Sequence, residues 1–102
     1  MDTARLCALM TIVERVTEEV PTLYRVRGAS ALDTGRAVLP LLRKAAHALA
    51  EACAIAAEDP PTFAKLDELR MQAVKWLVEC ARTCMALEEA ELLAEAEGQT
   101  LH

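Results

Sequence analysis

Two cysteines, Cys80 and Cys84, are the residues of this chain whose spacing is best suited to shared chemistry. Four positions apart on a helix, they lie on the same face, one turn from each other. Two thiolates placed in this way can bind one soft metal ion, Cu(I) or Zn(II), inside a helical bundle. Cys53, at the centre of another apolar helical face, is the third candidate ligand. The pattern therefore offers Cys53, Cys80 and Cys84 as a metal or redox site.

Core packing is the competing interpretation of these cysteines, and we favour it. A buried cysteine behaves as a small hydrophobic residue, and the stripe that holds Cys80 and Cys84 otherwise contains only leucine and alanine. In that case the chain needs no cofactor. A disulfide between the two is disfavoured, because Cβ vectors four residues apart on a helix converge poorly. Cys7 lies off the main face of its helix; we favour a position at the margin of the core, with a reactive thiol or an intermolecular bridge as the alternative.

The other titratable residues form no catalytic set. His47 lies among charged residues on the polar face of its helical pattern, where a pair with Glu51 at i, i+4 is expected. The glutamates near the C-terminus lack the Glu-x-x-His motif of di-metal carboxylate bundles. No phosphate-binding loop is present. We therefore predict a protein that is not an enzyme.

The longest element predicted is a helix over residues 62–97, which contains neither proline nor glycine. One apolar stripe, with alternating spacings of three and four, runs through Leu66, Leu77 and Cys84 and is typical of a helix packed along a partner. A second stripe lies about a quarter-turn or more away, and methionine suits its use as an adaptable interface. It is either an interface, with another chain or a partner helix, or core packed against the first helix. Its predicted interface residues are Met71, Val74, Val78, Met85 and Leu92.

Two shorter helices are predicted before it. The first covers 3–20, capped by Asp2 or Thr3 and stopped by Pro21. The second covers about 31–58 and begins either at a capping box from Ser30 or near residue 37 with Pro40 in its first turn. The connection 21–35 is basic and contains two glycines. We favour a solvated crossover, whose arginines pair with the acidic third helix, over a site for an acidic partner or a phosphate. Residues 98–102 are expected to fray.

Composition narrows the class of protein. Alanine, leucine, glutamate and arginine dominate the 102 residues, so an all-α domain is expected. The net charge of −5 and the three aromatic residues disfavour nucleic-acid binding. No segment is apolar enough to span a membrane or to serve as a signal peptide. Free cysteines within helical patterns favour the cytoplasm.

These patterns predict an antiparallel hairpin of the second and third helices with the N-terminal helix packed on it. A helix of about 35 residues with two apolar stripes exceeds what the rest of the chain can cover, so we expect a homodimer that forms a larger helical bundle. The expected function is that of an interaction or assembly protein with an apolar groove for a protein partner. Thiolate binding of Cu(I) or Zn is the first alternative. The second is a small-molecule-binding regulator or enzyme subunit with its pocket between the hairpin and the first helix.

Overall fold

The computed structural model describes residues 1–100, which form three α-helices and no strand. The longest is α3, Pro60–Thr100. Pro60 and Pro61 occupy its first turn, where the missing N–H groups would have no helical partner. The prediction of one very long C-terminal helix is confirmed. The boundaries differ, because the helix continues through Gly98 instead of fraying there, and residues 101–102 lie outside the described part.

Helix α1, Thr3–Tyr24, is one turn longer than predicted. The Asp2 carboxylate accepts a hydrogen bond from the Arg5 backbone N–H at 3.0 Å and caps its start. Pro21 was expected to end this helix but lies inside it. Proline removes one hydrogen bond, to the carbonyl four residues earlier. That carbonyl belongs to Thr17, which is exposed, so water can replace the lost donor.

Helix α2, Ala31–Ile55, begins at the earlier of its two predicted starts. The Ser30 hydroxyl accepts a hydrogen bond from the Asp33 N–H at 3.0 Å, which leaves Pro40 inside the helix. The helix ends three residues before the predicted 58. The connection is also shorter than the predicted 21–35, since only residues 25–30 lie between α1 and α2. Within it Gly28 has a φ of +84°, a conformation that glycine adopts without strain.

Helix α2 lies between the other two and packs against both. Arg5 of α1 pairs with Glu51 near the end of α2, and Arg36 near the start of α2 pairs with Glu88 of α3. The helices therefore run up, down and up. No Cα atom of α1 lies within 8 Å of a Cα atom of α3 in the described chain. The three helices form an open layer instead of a closed bundle.

The core is formed mainly by small residues of α2 that allow close helix approach. Ala52 and Ala56 are fully buried, and Leu49 is in contact with the same cluster. From α1 the cluster receives Leu9, and from α3 it receives Leu66 and Ala73. Since the backbones of α1 and α3 approach α2 closely but not each other, much of their remaining surface is left open.

The end of α3 projects beyond the start of α2. Arg36 reaches Glu88, and every residue from Glu89 to Glu97 is exposed. The molecule is accordingly elongated, with extents of 65 × 23 × 15 Å. Within the part of the chain that is described, no helix combines the length and apolarity needed to cross a membrane.

Candidate interaction surfaces

The stripe predicted as an interface is exposed on α3. Its members Met71, Met85 and Leu92 are each more than 60% exposed, and Val74 and Val78 about 40%. We call these five residues the α3 seam. Their spacings of three, four, seven and seven residues follow a heptad pattern, with the half-buried Ala81 filling one gap. Glu88, at the other gap, pairs with Arg36 instead. The seam extends over 21 residues, about 32 Å.

The competing prediction, that this stripe packs against the first helix, is wrong. At 100° per residue, the seam lies about a quarter-turn to one side of the line through Leu66 and Cys84, which faces α2. The α3 residues nearest α1, among them Leu69 and Trp76, lie about a quarter-turn to the other side. Helix α1 therefore contributes nothing to covering the seam.

An apolar trough of about 440 Å³ separates α1 from α3. Helix α2 forms its floor, because α1 and α3 are too far apart to close over it. Thr17 and Gln72 are its only polar wall residues among those described. The trough is lined by Val13, Val16, Thr17, Val20, Pro21, Leu42, Ala45, Leu49, Leu69, Gln72, Ala73 and Trp76.

The trough lies between the hairpin and the first helix, where a pocket was expected for the small-molecule alternative, but sequence periodicity did not predict its lining residues. The heptad-like face of α1 predicted a core, and Val16 is indeed buried, but Val13 and Val20 on the same face are only half-buried. An apolar face indicates that this side of a helix is buried, but it does not identify the helix that packs against it. The signal available in the sequence was the position of Trp76, the single tryptophan, next to the polar arc of its helix. A large aromatic side chain is uncommon at such a position, and Trp76 is indeed exposed.

A second cavity of about 580 Å³ continues from the trough toward the end of α1, and Cys80 and Cys84 lie in its wall. The Cys80 thiol approaches the Gly35 carbonyl oxygen at 3.6 Å. Burial raises the pKa of Cys80, and the neighbouring Cys84 raises it further. Burial also raises the pKa of Tyr24, with smaller contributions from Cys80 and Cys84, so the phenol lies near both sulfurs. This environment favours the protonated form of the Cys80 thiol.

The predicted site of three cysteines does not form. Helices α2 and α3 are antiparallel, which places Cys53 beside Asp67 and Arg70, whereas Cys80 and Cys84 lie beside Gly35. Thirteen residues of α3 separate Asp67 from Cys80, a rise of about 20 Å. Among residues 1–100 no three His, Cys, Asp or Glu side chains are grouped closely enough to hold a metal ion. Burial and Asp67 raise the pKa of Cys53, and Arg70 opposes this effect.

The remaining polar candidates lie at the surface. Cys7 and His47 are exposed. Both carboxylate oxygens of Glu51 accept hydrogen bonds from Arg5 at 2.9 and 3.0 Å, so the expected pair of His47 with Glu51 is replaced by a link between α1 and α2. Among the described residues no arginine of the predicted connection 21–35 forms an ion pair; Arg36, within α2, pairs with Glu88.

Comparison with known proteins identifies no relative of this chain. The chain matches no protein-family model, and no significant similarity links it to a curated protein or to a solved structure. Its function must therefore be argued from its own surfaces.

Proposed function

We propose that this chain is a non-enzymatic assembly protein that self-associates through the α3 seam and offers an apolar helical surface to a protein partner. The observation that carries the proposal is the exposure of five large apolar side chains at heptad spacing on one face of α3. Single exposed hydrophobic residues are ordinary on a protein surface. A contiguous row of them is instead typical of an interaction site.

The projecting end of α3 gives the proposal a second support. A helical segment of about ten residues is marginal in water without packing. Leu92 and Leu93 on this segment are both exposed. Packing of Leu92 against a second helix would bury apolar area and stabilise the projecting turns, at about 25 cal/mol for each Å² removed from water.

Replacement of Met85 by glutamate tests this function. We expect the wild-type protein to be dimeric at micromolar concentration. Met85→Glu should weaken the dimer roughly a hundredfold or more, because each copy loses a buried methionine and gains a charge in the interface. Ala86→Glu is the matched control, since it adds the same charge at the next position, exposed and off the seam. Sedimentation equilibrium of the reduced protein measures all three dissociation constants.

Two outcomes would contradict the proposal. One is a wild-type protein that remains monomeric at several hundred micromolar. The other is a dimer that Met85→Glu and Ala86→Glu weaken equally, because the association would then depend on net charge or on another surface.

Binding of a small apolar molecule in the α1–α3 trough is a second candidate function. The trough volume of about 440 Å³ lies within the range of about 300–1,000 Å³ that is usual for ligand sites. Its walls are almost entirely apolar and carry no charged side chain, so a neutral ligand is the chemistry that fits. This proposal does not require self-association.

Trp76 provides the measurement for this candidate, because it is the only tryptophan and lies in the trough wall. We expect the neutral probe N-phenyl-1-naphthylamine to quench its fluorescence with saturation. Ala45→Leu, which places a larger side chain on the trough floor, should reduce probe affinity at least about tenfold. Ala50→Leu, on an exposed position of the same helix, is the control. Equal binding by both variants would place the probe elsewhere and refute this candidate.

A further inference from the structure

The two halves of α3 differ in charge. Residues 83–100 contain five glutamates and no basic residue, a net charge of −5. Residues 60–82 contain four basic and three acidic residues, a net charge of +1. Two copies aligned in parallel along the seam would bring both acidic halves together, with mutual repulsion. An antiparallel alignment places each acidic half beside a weakly basic one.

Three charged residues follow the outer margin of the seam, on the side away from α2. Lys75, Arg82 and Glu89 are spaced by seven residues, two helical turns, so they form one line along α3. All three are exposed. The ion pairs found in the described chain involve other side chains. This line is therefore available to a second helix packed on the seam.

On the basis of the proposed self-association, we infer that the occupant of the α3 seam is a second copy of this chain, packed antiparallel with a two-fold axis near Arg82 and Thr83. In this arrangement Leu92 of each copy lies opposite Val74 of the other, and Met85 lies opposite Ala81. Lys75 of each copy approaches Glu89 of the other, which forms two symmetric ion pairs. These positions correspond to the flanking positions that set partner orientation in coiled coils.

Two unfavourable contacts accompany this alignment. In the same register Glu88 of each copy, paired with Arg36 of its own chain, lies opposite Val78 of the other. The two Arg82 side chains approach each other near the axis, a like-charge contact that a parallel pair would not contain. The Arg82 contact tests the orientation of the two helices independently. Removal of the Arg82 charge should strengthen an antiparallel dimer but not a parallel one.

Charge reversal at Lys75 and Glu89 tests the orientation. In the antiparallel dimer, Lys75→Glu and Glu89→Lys should each raise the dissociation constant roughly three- to tenfold, since each creates two like-charge contacts. The double variant should return to within about twofold of wild type. Arg82→Gln should tighten the dimer about two- to threefold by removing the contact at the axis. Sedimentation equilibrium at low ionic strength measures all four variants, because salt screens exposed charges.

A parallel dimer would give a different set of results. Positions 75 and 89 would then lie about 21 Å apart across the interface, too far for an ion pair, so the double variant would show no rescue. Glu89→Lys would tighten the dimer by relieving repulsion between the acidic halves. Tightening by Glu89→Lys, or lack of rescue, overturns the antiparallel inference and leaves self-association intact if Met85→Glu still dissociates the dimer. A monomeric wild type refutes both proposals.

Discussion

Truncation of Leu49 to alanine is expected to lower the free energy of unfolding by about 3 kcal/mol, within the range of about 2–5 kcal/mol for buried leucines. Leu49 is only 2% exposed and lies in the cluster that joins Leu9 of α1 to Leu66 of α3 through α2. Its loss therefore weakens both helix pairs at once. The midpoint and slope of denaturant unfolding, followed by circular dichroism, measure the change.

Leu93→Ala is the control for this prediction. Leu93 is 59% exposed and lies on α3 outside the seam. Its substitution removes the same side-chain atoms from a residue that is also helical. Its replacement should change the free energy of unfolding by no more than about 0.5 kcal/mol. Equal effects of the two substitutions would show that Leu49 does not hold the core together as described.

Replacement of Gly35 by alanine should also destabilise the fold, although alanine is the better helix former by about 1 kcal/mol. A Cβ atom at Gly35 would lie 2.5 Å from the Cys84 sulfur. Because Cys84 is buried, relief of this overlap requires repacking between α2 and α3. Overpacking of this kind costs about 1–3 kcal/mol. After the gain in helix propensity is subtracted, the net expected loss is up to about 2 kcal/mol, measured by denaturant unfolding.

The sign of this effect should reverse when the sulfur is removed. In a Cys84→Ala background, Gly35→Ala should be neutral or stabilise by up to about 1 kcal/mol, since only helix propensity remains. Gly98→Ala, where an added Cβ has no neighbour within 4 Å, should behave in the same way in either background. Destabilisation by Gly35→Ala that persists without the Cys84 sulfur would contradict the proposed cause.

The three helices and their apolar faces could be predicted from the sequence, because both depend on residues that are close together in the chain. Asp2 and Ser30 were each one of two alternatives offered by residue type for a helix start, and both accept a capping backbone hydrogen bond. Spacing predicted the α3 face that packs on α2, which holds the buried Leu66 and Cys84. Pro21 was misjudged because its cost depends on whether the carbonyl that it frees can reach water, which residue type does not reveal.

The arrangement of the helices was harder to predict, since periodicity specifies an apolar face but not its neighbour. Cys53 was placed correctly on the buried side of α2. Its position near the C-terminal end of α2, however, puts it beside Arg70 instead of beside Cys84. The trough depended on a distance between α1 and α3 that no local pattern encodes. Two predictions concern other molecules, namely the dimer and the partner, and they remain proposals.

The separation of α1 from α3 has a consequence for how the chain reaches its fold. Every close approach between helix backbones joins neighbours in the sequence, α1 with α2 and α2 with α3. The chain therefore closes only short loops before each contact forms, and the entropy lost in closing them is small. Helical topologies dominated by such sequence-local contacts fold on the microsecond to millisecond timescale. The openness that leaves the α3 seam and the trough uncovered thus also removes the slowest contact of a closed three-helix bundle, the one between its first and last helices.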